Sequence, residues 1–243
     1  MRPSISVITV TLNAANVLPR LLASLRAQSD RDFEFLVVDG DSHDQTWQLV
    51  KDARDIVTYS VSEPDCGLYD ALNKAIRRLR SDYYLVVGSD DTLDRDAIKN
   101  YKRAAEETGA DVIIANVKVN DRIKSGFRPG RAWLGHSAMI TSHSVGMLIR
   151  SNLHSRFGEY SMRYSILADG YLVKTICTDP GVKAVAADFL AGEFSTQGIS
   201  HHSLTRALCE SWQIQIDTGE QPVVQYLIFQ LRLLKNLFKI VRR

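Results

Sequence analysis

The stretch SVSEPDCGLYDALNKAI, residues 60–76, changes from a β pattern to a helical pattern across a turn rich in acids. After the turn, apolar residues recur at spacings of three and four, the pattern of a helix with one buried face. These residues are Leu68, Ala71, Leu72, Ala75, Ile76 and Leu79. A first helical turn needs about one carboxylate to cap its free amides, yet Glu63, Asp65 and Asp70 all lie here. Their number indicates that this turn does more than start a helix.

The same alternation of strand and helix patterns extends through the first half of the chain. β-rich runs occupy residues 5–11, 33–38, 56–61, 83–88 and 111–117. Helical patterns lie between them at residues 17–28, 47–54 and 95–107. This alternation predicts an α/β fold with a mostly parallel sheet and helices on both faces.

Composition limits the classes of function. The 243 residues, 45% of them hydrophobic, are enough for one large domain with a sizeable core. A net charge of +2 argues against nucleic acid as a general partner. Cys66, Cys177 and Cys209 are scattered without metal-ligand spacing, which favours structural thiols in a reducing compartment. The first residues enter a strand without the apolar core of a signal peptide, so we expect a cytoplasmic location.

The ends of the predicted strands indicate where ligands bind, because parallel sheets bind ligands beyond the carboxyl ends of their strands. Four successive strands end in polar or acidic residues, namely Thr11 and Asn13, Asp39, Glu63 and Asp65, and Asp90 and Asp91. The turn after the first strand contains no glycine, and the chain has no Walker-type loop. Ordinary dinucleotide-binding dehydrogenases and P-loop NTPases are therefore disfavoured.

Two of these acid positions have a structural interpretation as well as a functional one. Asp90 and Asp91 are adjacent carboxylates that repel each other unless a cation compensates, and Mg²⁺ or Mn²⁺ prefers such oxygen ligands. The alternative is that they cap the helix that follows. Asp39 either contacts a ligand or forms a turn.

Five motifs, in this order, resemble family 2 glycosyltransferases of the GT-A fold: ISVITVTLN, VVDGDSHDQT, SEPDCGLYDALNKAI, VVGSDD and SILADGYL. The resemblance covers roughly residues 4–200, and the third motif is similar to a bacterial subgroup that acts on cell-surface polysaccharides. It implies a single Rossmann-like GT-A domain over residues 1–218. Residues 219–243 then form a basic amphipathic C-terminal helix.

The resemblance also implies an activity. The family inverts configuration while it transfers a sugar from a nucleotide-diphosphate donor, here with UDP favoured, to an acceptor hydroxyl. The acceptor would be a glycan or a lipid-linked molecule in cell-surface polysaccharide synthesis. Mg²⁺ or Mn²⁺ would be the cofactor.

Site residues follow from the matching motif positions. Thr11, Asn13 and Asp39 would line the nucleotide base pocket, with Asp39 accepting from the uracil imide. Asp90, with Asp91 beside it, would ligate the metal as the last acid of the family's Asp-x-Asp element. The first position of that element is Gly88 in this chain.

The acid-rich turn would lie beside the donor. Gly67 would let the backbone approach, while Asp65, Asp70, Asn73 and Lys74 would reach ribose, sugar or phosphate oxygens. Asp70 and Lys74 share a helix face at i and i+4, so a surface ion pair is the alternative for them.

The second half of the chain supplies the remaining candidates. By the resemblance, Asp169 occupies the position of the family's general base, and the structural alternative is that it caps the amino-terminal end of a helix. Residues 126–143 form a loop region rich in Gly, Arg and aromatic residues, which we expect near the site. At its end, His143 either orients the acceptor or bonds buried backbone groups. His201 and His202 lie either in a closing loop or in a plain surface loop.

The C-terminal helix has two interpretations. Apolar residues recur at helical spacing, and no acid follows Glu220: these are Leu227, Leu231, Leu234, Phe238 and Val241. Basic residues lie between them: Arg232, Lys235, Lys239, Arg242 and Arg243. Such a helix either lies on an anionic membrane surface or packs on the core or a second subunit.

Two other classes of protein remain open. A nucleotide-sugar binding protein with lost or weak catalysis is kept open by Gly88. A nucleotidyltransferase would need a glycine-rich and basic loop after the first strand, and the chain has none.

Overall fold

A nine-stranded sheet forms the centre of the protein. The computed structural model describes residues 3–124, 126–195 and 204–241. The strands are β1 (Ile5–Thr11), β2 (Glu34–Asp39), β3 (Tyr59–Ser62), β4 (Tyr83–Val86), β5 (Thr92–Leu93), β6 (Val112–Val119), β7 (Arg122–Lys124), β8 (Met147–Arg150) and β9 (Ala184–Glu193). Their order in the sheet is β3-β2-β1-β4-β8-β6-β9-β5, with β7 paired to β6.

Helices connect these strands. They are α1 (Leu18–Arg26), α2 (Thr46–Asp52), α3 (Leu68–Ile76), α4 (Ala97–Thr108), α5 (His136–Met139), α6 (Leu153–Phe157), α7 (Ala168–Thr178), α8 (Leu204–Asp217) and α9 (Pro222–Val241). Short 3-10 helices occupy Pro129–Leu134 and Ser144–Gly146. The loop region predicted at residues 126–143 is therefore partly helical.

The sheet has an apolar core on each face, because alternate strand residues point to opposite sides. On one face, Ile5 and Val7 of β1 lie in a buried cluster with residues of α1, α2 and α4. On the other face, Ile8 lies in a second cluster with residues of α3, α6, α7 and α8. The predicted α/β fold with helices on both faces is confirmed.

The direction of the strands corrects the prediction of a mostly parallel sheet. Strands β3, β2, β1 and β4 are parallel neighbours, and β6 is parallel to β9. Between these groups, β8 is antiparallel to both β4 and β6, and β5 and β7 are also antiparallel to their partners. The segment from β6 to β8 returns alongside β6, and an antiparallel neighbour needs no helical crossover. The sheet is mixed.

Helix α3 differs from its predicted register in one respect. Leu68 was assigned to the buried face, but it is 38% exposed, while Tyr69 is 4% exposed. Leu68 is the first residue of the helix, after Gly67, and the core begins with the next side chain. Tyr69 therefore becomes part of the core.

Helix α9 packs on α8, where the rings of Trp212 and Phe229 lie 5.7 Å apart. Gln225 Nε2 donates to the carbonyl oxygen of Trp133 at 2.8 Å, and Arg232 donates to Ser211 Oγ at 3.1 Å. Across the described ranges, no helix is long and apolar enough to cross a membrane.

Candidate active site

The site lies where the carboxyl ends of β1, β2, β3 and β4 meet the amino-terminal ends of α3 and α7. Thr11, Asp39 and Ser62 are register neighbours at the ends of β1, β2 and β3. Asp90 and Asp91 follow β4, and Asp169 lies in the first turn of α7. The polar strand ends that the sequence singled out therefore share one edge of the sheet.

Asp39 is a hydrogen-bonding hub with no exposed surface. Its Oδ1 accepts from Thr11 Oγ1 at 2.8 Å and from Ser42 Oγ at 2.6 Å. Its Oδ2 accepts from Ser62 Oγ at 2.7 Å and from the Ser42 amide at 3.0 Å. Burial alone would raise the pKa of Asp39, but hydrogen bonds from Ser42, Ser62 and Thr11 outweigh it, so the pKa is lowered.

These four bonds bear on the predicted role of Asp39 in the nucleotide pocket, which stays a prediction. An ionised carboxylate has about four acceptor positions, and here all of them are used within the protein. A uracil imide would have to replace one of the present donors. In this conformation Asp39 joins the ends of three strands. The Thr11 hydroxyl bonds Asp39, so it would affect a bound nucleotide by positioning that carboxylate.

The turn after β1 is locked to the turn after β2. Asn13 has a left-handed backbone with φ 51°, which asparagine tolerates better than most residues. Its Oδ1 accepts from the His43 amide at 3.0 Å, and its own amide donates to Ser42 Oγ at 2.8 Å. The exposed Asn13 side chain thus stands at the rim beside the Asp39 hub.

The acids of the turn before α3 hold that turn together. Asp65 Oδ1 accepts from the Gly67 amide at 2.8 Å, and Asp70 Oδ2 accepts from the Cys66 amide at 3.0 Å. Gly67 has φ 113°, a conformation that favours glycine. A Cβ added at Gly40, directly after β2, would lie 2.4 Å from Asp65 Oδ2. The turn is therefore fixed against the end of β2, close to Asp39.

Lys74 and Asn73 have structural contacts. Lys74 Nζ lies 2.9 Å from Glu63 Oε1 and 3.8 Å from Asp70 Oδ2, and Glu63 raises the pKa of Lys74. The i,i+4 ion pair considered above is thus present. Asn73 is 3% exposed, and its amide donates to and accepts from the backbone of Tyr160 at 2.9 Å. The polar atoms of Asn73 thus already bond the protein in this conformation, and its contact with a ligand stays a prediction.

The acid pair after β4 is divided between two environments. Asp91 is 1% exposed, with Oδ1 accepting from the Ser195 amide at 2.8 Å and Oδ2 from the Gly88 amide at 3.1 Å. Burial raises the pKa of Asp91 to about 7. A Cβ at Gly88 would lie 2.9 Å from Asp91 Oδ2 and 3.1 Å from Asp90 Oδ1. Asp91 is therefore directed inward in this conformation, while Asp90 is half-exposed, so Asp90 is the better placed of the two predicted metal ligands.

Within the described ranges, no group of three or more His, Cys, Asp or Glu side chains could hold a metal ion. Asp90 would therefore have to share an ion with ligands from the substrate. Mg²⁺ is commonly bound in this way, by one or two carboxylates together with substrate phosphates.

Asp169 is half-buried and held by a tyrosine hydroxyl. Tyr69 Oη lies 2.8 Å from Asp169 Oδ1 and 2.6 Å from the carbonyl oxygen of Ile166. Asp169 is the second residue of α7, and residue 167 at the N-cap position makes no side-chain cap bond. The N-cap alternative for Asp169 therefore does not describe this helix.

The profile of Glycosyl transferase family 2 matches residues 6–169, more than half of the chain. The chain belongs to glycosyltransferase family 2. The resemblance carried by the five motifs is thereby confirmed, and the matched segment ends at Asp169.

Relatives of this family 2 glycosyltransferase include bacterial enzymes. The PGL/p-HBAD biosynthesis glycosyltransferase of Mycobacterium bovis is 30% identical over 178 residues, covering 69% of this chain and 67% of that protein. The poly(ribitol-phosphate) beta-N-acetylglucosaminyltransferase TarS of Staphylococcus aureus is 32% identical over 123 residues, covering 48% of this chain and 22% of that protein.

Solved structures support the GT-A fold. The S. aureus TarS 1-349 structure in complex with UDP has a TM-score of 0.71 at 20% identity, covering 96% of this chain and 71% of that one. The mannosyltransferase PcManGT from Pyrobaculum calidifontis, in complex with GDP-Man and Mn²⁺, has a TM-score of 0.65 at 19% identity, covering 95% of this chain and 69% of that one.

Sequence reasoning missed two residues beside Asp169 in this family 2 glycosyltransferase. Glu210 of α8 is 8% exposed and accepts from the amides of residues 165, 166 and 167 at 2.9 to 3.0 Å. His136 packs so closely on α7 that a Cβ at Gly170 would lie 2.8 Å from its ring. Burial lowers the pKa of His136, against the opposing effect of the Asp169 charge. Neither residue belongs to a motif; only the loop composition of residues 126–143 pointed to His136.

The sequence singled out three other histidines, His143, His201 and His202. His143 stacks on Phe194 with ring centroids 3.6 Å apart, near the Ser195 amide that bonds Asp91. It therefore lies on the β4 side of the site. His201 and His202 lie outside the described residues.

All three cysteines are free, with Cys177 buried and Cys66 and Cys209 exposed.

Proposed function

We propose that this glycosyltransferase inverts configuration while it transfers a sugar from a UDP-sugar to a hydroxyl of a glycan or lipid-linked acceptor in cell-surface polysaccharide synthesis. The observation that carries the proposal is the half-buried Asp169 carboxylate, held at the amino-terminal end of α7 by Tyr69. Asp90 is on a different element, after β4, and would act on the diphosphate of the donor while Asp169 acts on the acceptor.

The choice of UDP rests on two supports. TarS is named as an N-acetylglucosaminyltransferase and has been solved with UDP and with UDP-GlcNAc. In this chain the Asp39 hub, Asn13 and the Asp65 turn form a rim beyond β1, β2 and β3, where the donor nucleotide would bind.

The chemistry assigned to Asp169 is general base catalysis. The acceptor hydroxyl oxygen attacks the anomeric carbon from the face opposite the diphosphate, and the bond from that carbon to the phosphate oxygen breaks. Asp169 takes the hydroxyl proton, and UDP leaves with the bonding electron pair. A positioned base of this kind contributes about 10² to 10⁴-fold to the rate.

A divalent ion, Mg²⁺ or Mn²⁺, fits this site through Asp90 and the donor diphosphate, where it would neutralise the charge of the leaving group. The half-exposed Asp90 carboxylate is close enough to Gly88 that a side chain there would crowd it. The glycine therefore leaves room for Asp90 to turn toward a ligand. Asp91 would support Asp90 by fixing the loop backbone.

A location at the inner face of the cell membrane is part of the proposal. Leu227, Leu231 and Leu234 of α9 are 58% to 66% exposed on the side away from α8. Arg232, counted above among the basic surface residues, instead bonds Ser211 and the carbonyl of Leu134. The apolar stripe would enter the membrane interface, where a lipid-linked acceptor is also found.

A second candidate function is nucleotide-sugar binding with lost or weak catalysis. The inward direction of Asp91 and the glycine at position 88 favour it, since both reduce the number of metal ligands. The two candidates differ in whether Asp169 matters for turnover.

The experiment compares Asp169→Asn with Asp90→Ala. UDP release is measured from a panel of UDP-sugars, with and without membrane lipid extract, and UDP binding by calorimetry with and without Mn²⁺. We expect Asp169→Asn to keep UDP affinity and to lower turnover by about 10² to 10⁴-fold. Asp90→Ala should weaken UDP binding only when Mn²⁺ is present.

The matched control is Asp121→Asn, at the exposed β6–β7 turn, where the side chain is 94% exposed and only pairs with Lys118. It should leave both measurements unchanged. Normal turnover by folded Asp169→Asn would remove the base assignment. Tight UDP-sugar binding without turnover by the native chain would favour the second candidate.

A further inference from the structure

Tyr69 places its hydroxyl between two acceptors at the base. The residue lies in the first turn of α3, is 4% exposed, and stacks on Tyr160 with ring centroids 5.8 Å apart. Its Oη lies 2.6 Å from the Ile166 carbonyl oxygen and 2.8 Å from Asp169 Oδ1. Burial, followed by the Asp169 charge, raises the pKa of Tyr69 well above its usual value. The hydroxyl therefore keeps its proton.

One hydroxyl proton cannot serve both acceptors at once. When Asp169 is ionised, the charged carboxylate is the stronger acceptor, so the proton is donated to Oδ1. When Asp169 is neutral, this advantage is lost, and the hydroxyl can donate to Ile166 instead. The Tyr69 hydroxyl therefore has an acceptor in both protonation states of Asp169, and only its proton has to turn.

We propose that Tyr69 is the positioning residue of Asp169, which it holds through Oδ1 so that Oδ2 faces the acceptor hydroxyl. This inference rests on the proposed function of Asp169 as the base. During transfer the acceptor proton moves to Oδ2, and Tyr69 keeps its own proton while its hydrogen bond turns toward the Ile166 carbonyl. No other co-reactant is needed.

The backbone before Asp169 has a second anchor besides the bond from this hydroxyl to the Ile166 carbonyl oxygen. Glu210 already accepts from three successive amides directly before α7, and Ser165 Oγ also donates to it at 2.9 Å. Tyr69 therefore acts on the Asp169 side chain, while Glu210 anchors the chain that carries it.

Other titratable groups also face this position. Tyr160 acts electrostatically on Tyr69, and the Asp169 charge acts on Tyr160 and on His136 of α5. Arg232 of α9 and Lys174 of α7 act in turn on His136. A test of Tyr69 must therefore remove its hydroxyl and leave these groups in place.

The test is Tyr69→Phe, which keeps the ring and its packing. We measure UDP release against pH with the UDP-sugar that gives the highest turnover, together with KM for that donor. Turnover should fall about 10 to 100-fold because a misplaced catalytic group loses rate steeply. The pH profile of turnover should also change, because the ionised carboxylate of Asp169 loses a charge-assisted hydrogen bond. Donor KM should stay the same.

The control is Tyr101→Phe. Tyr101 is fully buried on the opposite face, and its hydroxyl donates to the Val145 carbonyl at 3.2 Å. It should leave the pH profile unchanged. An unchanged rate and pH profile in Tyr69→Phe would overturn the proposal, and so would a change confined to donor KM.

A double variant, Tyr69→Phe with Asp169→Asn, distinguishes the proposal for Tyr69 from the proposal that Asp169 is the base. If Tyr69 acts through Asp169, adding Tyr69→Phe to Asp169→Asn should lower turnover no further. A further loss in the double variant would show that Tyr69 acts elsewhere, even if Asp169 is the base. Full turnover by Asp169→Asn alone would instead contradict the base assignment itself.

Discussion

At the residue scale, the buried carboxylate of Asp39 joins the ends of three strands through four hydrogen bonds. Its four bonds come from β1, from β3 and from the turn after β2, because strand pairing places Thr11 and Ser62 on either side of it. Pairing between segments 28 and 23 residues away is not encoded by local pattern.

Asp39→Asn should make stability less dependent on pH. The pKa of Asp39 is lowered in the folded protein, so its contribution is full above the unfolded value of about 4 and is lost as the pH falls below it. The loss of Tm relative to the native chain should therefore be largest near pH 7 and shrink below about pH 4. Thermal unfolding from pH 3 to pH 8 measures this. A constant difference at all pH values would contradict it.

The same variant tests the nucleotide pocket. In Asp39→Asn, the new side-chain amide nitrogen would face one of the serine hydroxyls that now donate to the carboxylate. The three strand ends should therefore separate, and the free energy of UDP binding should weaken by about 1 to 3 kcal/mol. Asp52→Asn is the matched control, because Asp52 is exposed on α2 and bonds only Gln48. Unchanged UDP affinity in folded Asp39→Asn would mean that the pocket lies elsewhere.

At the scale of elements, the main strands and helices of the first half were predictable, and the long strand β9 of the second half was not. β9 runs from Ala184 to Glu193 and pairs with β6 and β5, but its sequence gave no strand signal that we recognised. Its burial is mostly partial, so alternation of apolar and polar residues is weak. The site likewise has a predictable and an unpredictable part. Helix α7 carries a recognisable motif, but Glu210, which anchors its amino-terminal end, lies 43 to 45 positions away in the sequence from the residues that it bonds.

Glu210→Gln should loosen the amino-terminal end of α7. Its new amide group would face backbone donors that now bond a carboxylate, and leaving them without an acceptor should cost about 2 to 4 kcal/mol. Because a chain of this length loses about 2 to 4 °C of Tm per kcal/mol, the expected fall is about 4 to 16 °C. Turnover should fall further than donor affinity, since Asp169 is on the loosened helix. Differential scanning calorimetry and UDP release are the measurements.

The matched control for Glu210→Gln is Glu107→Gln, an exposed glutamate of α4 on the opposite face of the sheet. It removes the same charge without removing a buried acceptor. Equal Tm values for the two variants would show that the Glu210 carboxylate does not anchor α7.

At the scale of the whole molecule, α9 packs on the protein along one side and leaves its other side exposed. Its inner side is fixed to α8 and to residues 133–134, as a packed helix would be. Its outer side remains apolar and exposed at Leu227, Leu231 and Leu234. The helical spacing was visible in the sequence, but the direction of Arg232 depends on residues 98 and 21 positions away and was not.

Replacing both Leu231 and Leu234 by serine should release the protein from membranes without unfolding it. Each side chain is 66% exposed, so Tm should stay the same, while the apolar area available to a membrane interface falls. Vesicle sedimentation is compared with phosphatidylserine-containing and pure phosphatidylcholine vesicles. The native chain should bind the anionic vesicles better, and high salt should release part of it, since each basic residue near such a surface contributes about 1 kcal/mol.

Ile123→Ser provides the matched control for this double variant, because Ile123 is equally exposed, at 67%, on β7. It should sediment like the native chain. If the native chain stays in the supernatant but is oligomeric in sedimentation equilibrium, the apolar stripe on α9 is an interface between copies, and the double variant should lower the molecular mass. If the native chain is monomeric and stays in the supernatant with both vesicle types, membrane association of this glycosyltransferase is contradicted, and the acceptor must reach Asp169 from solution.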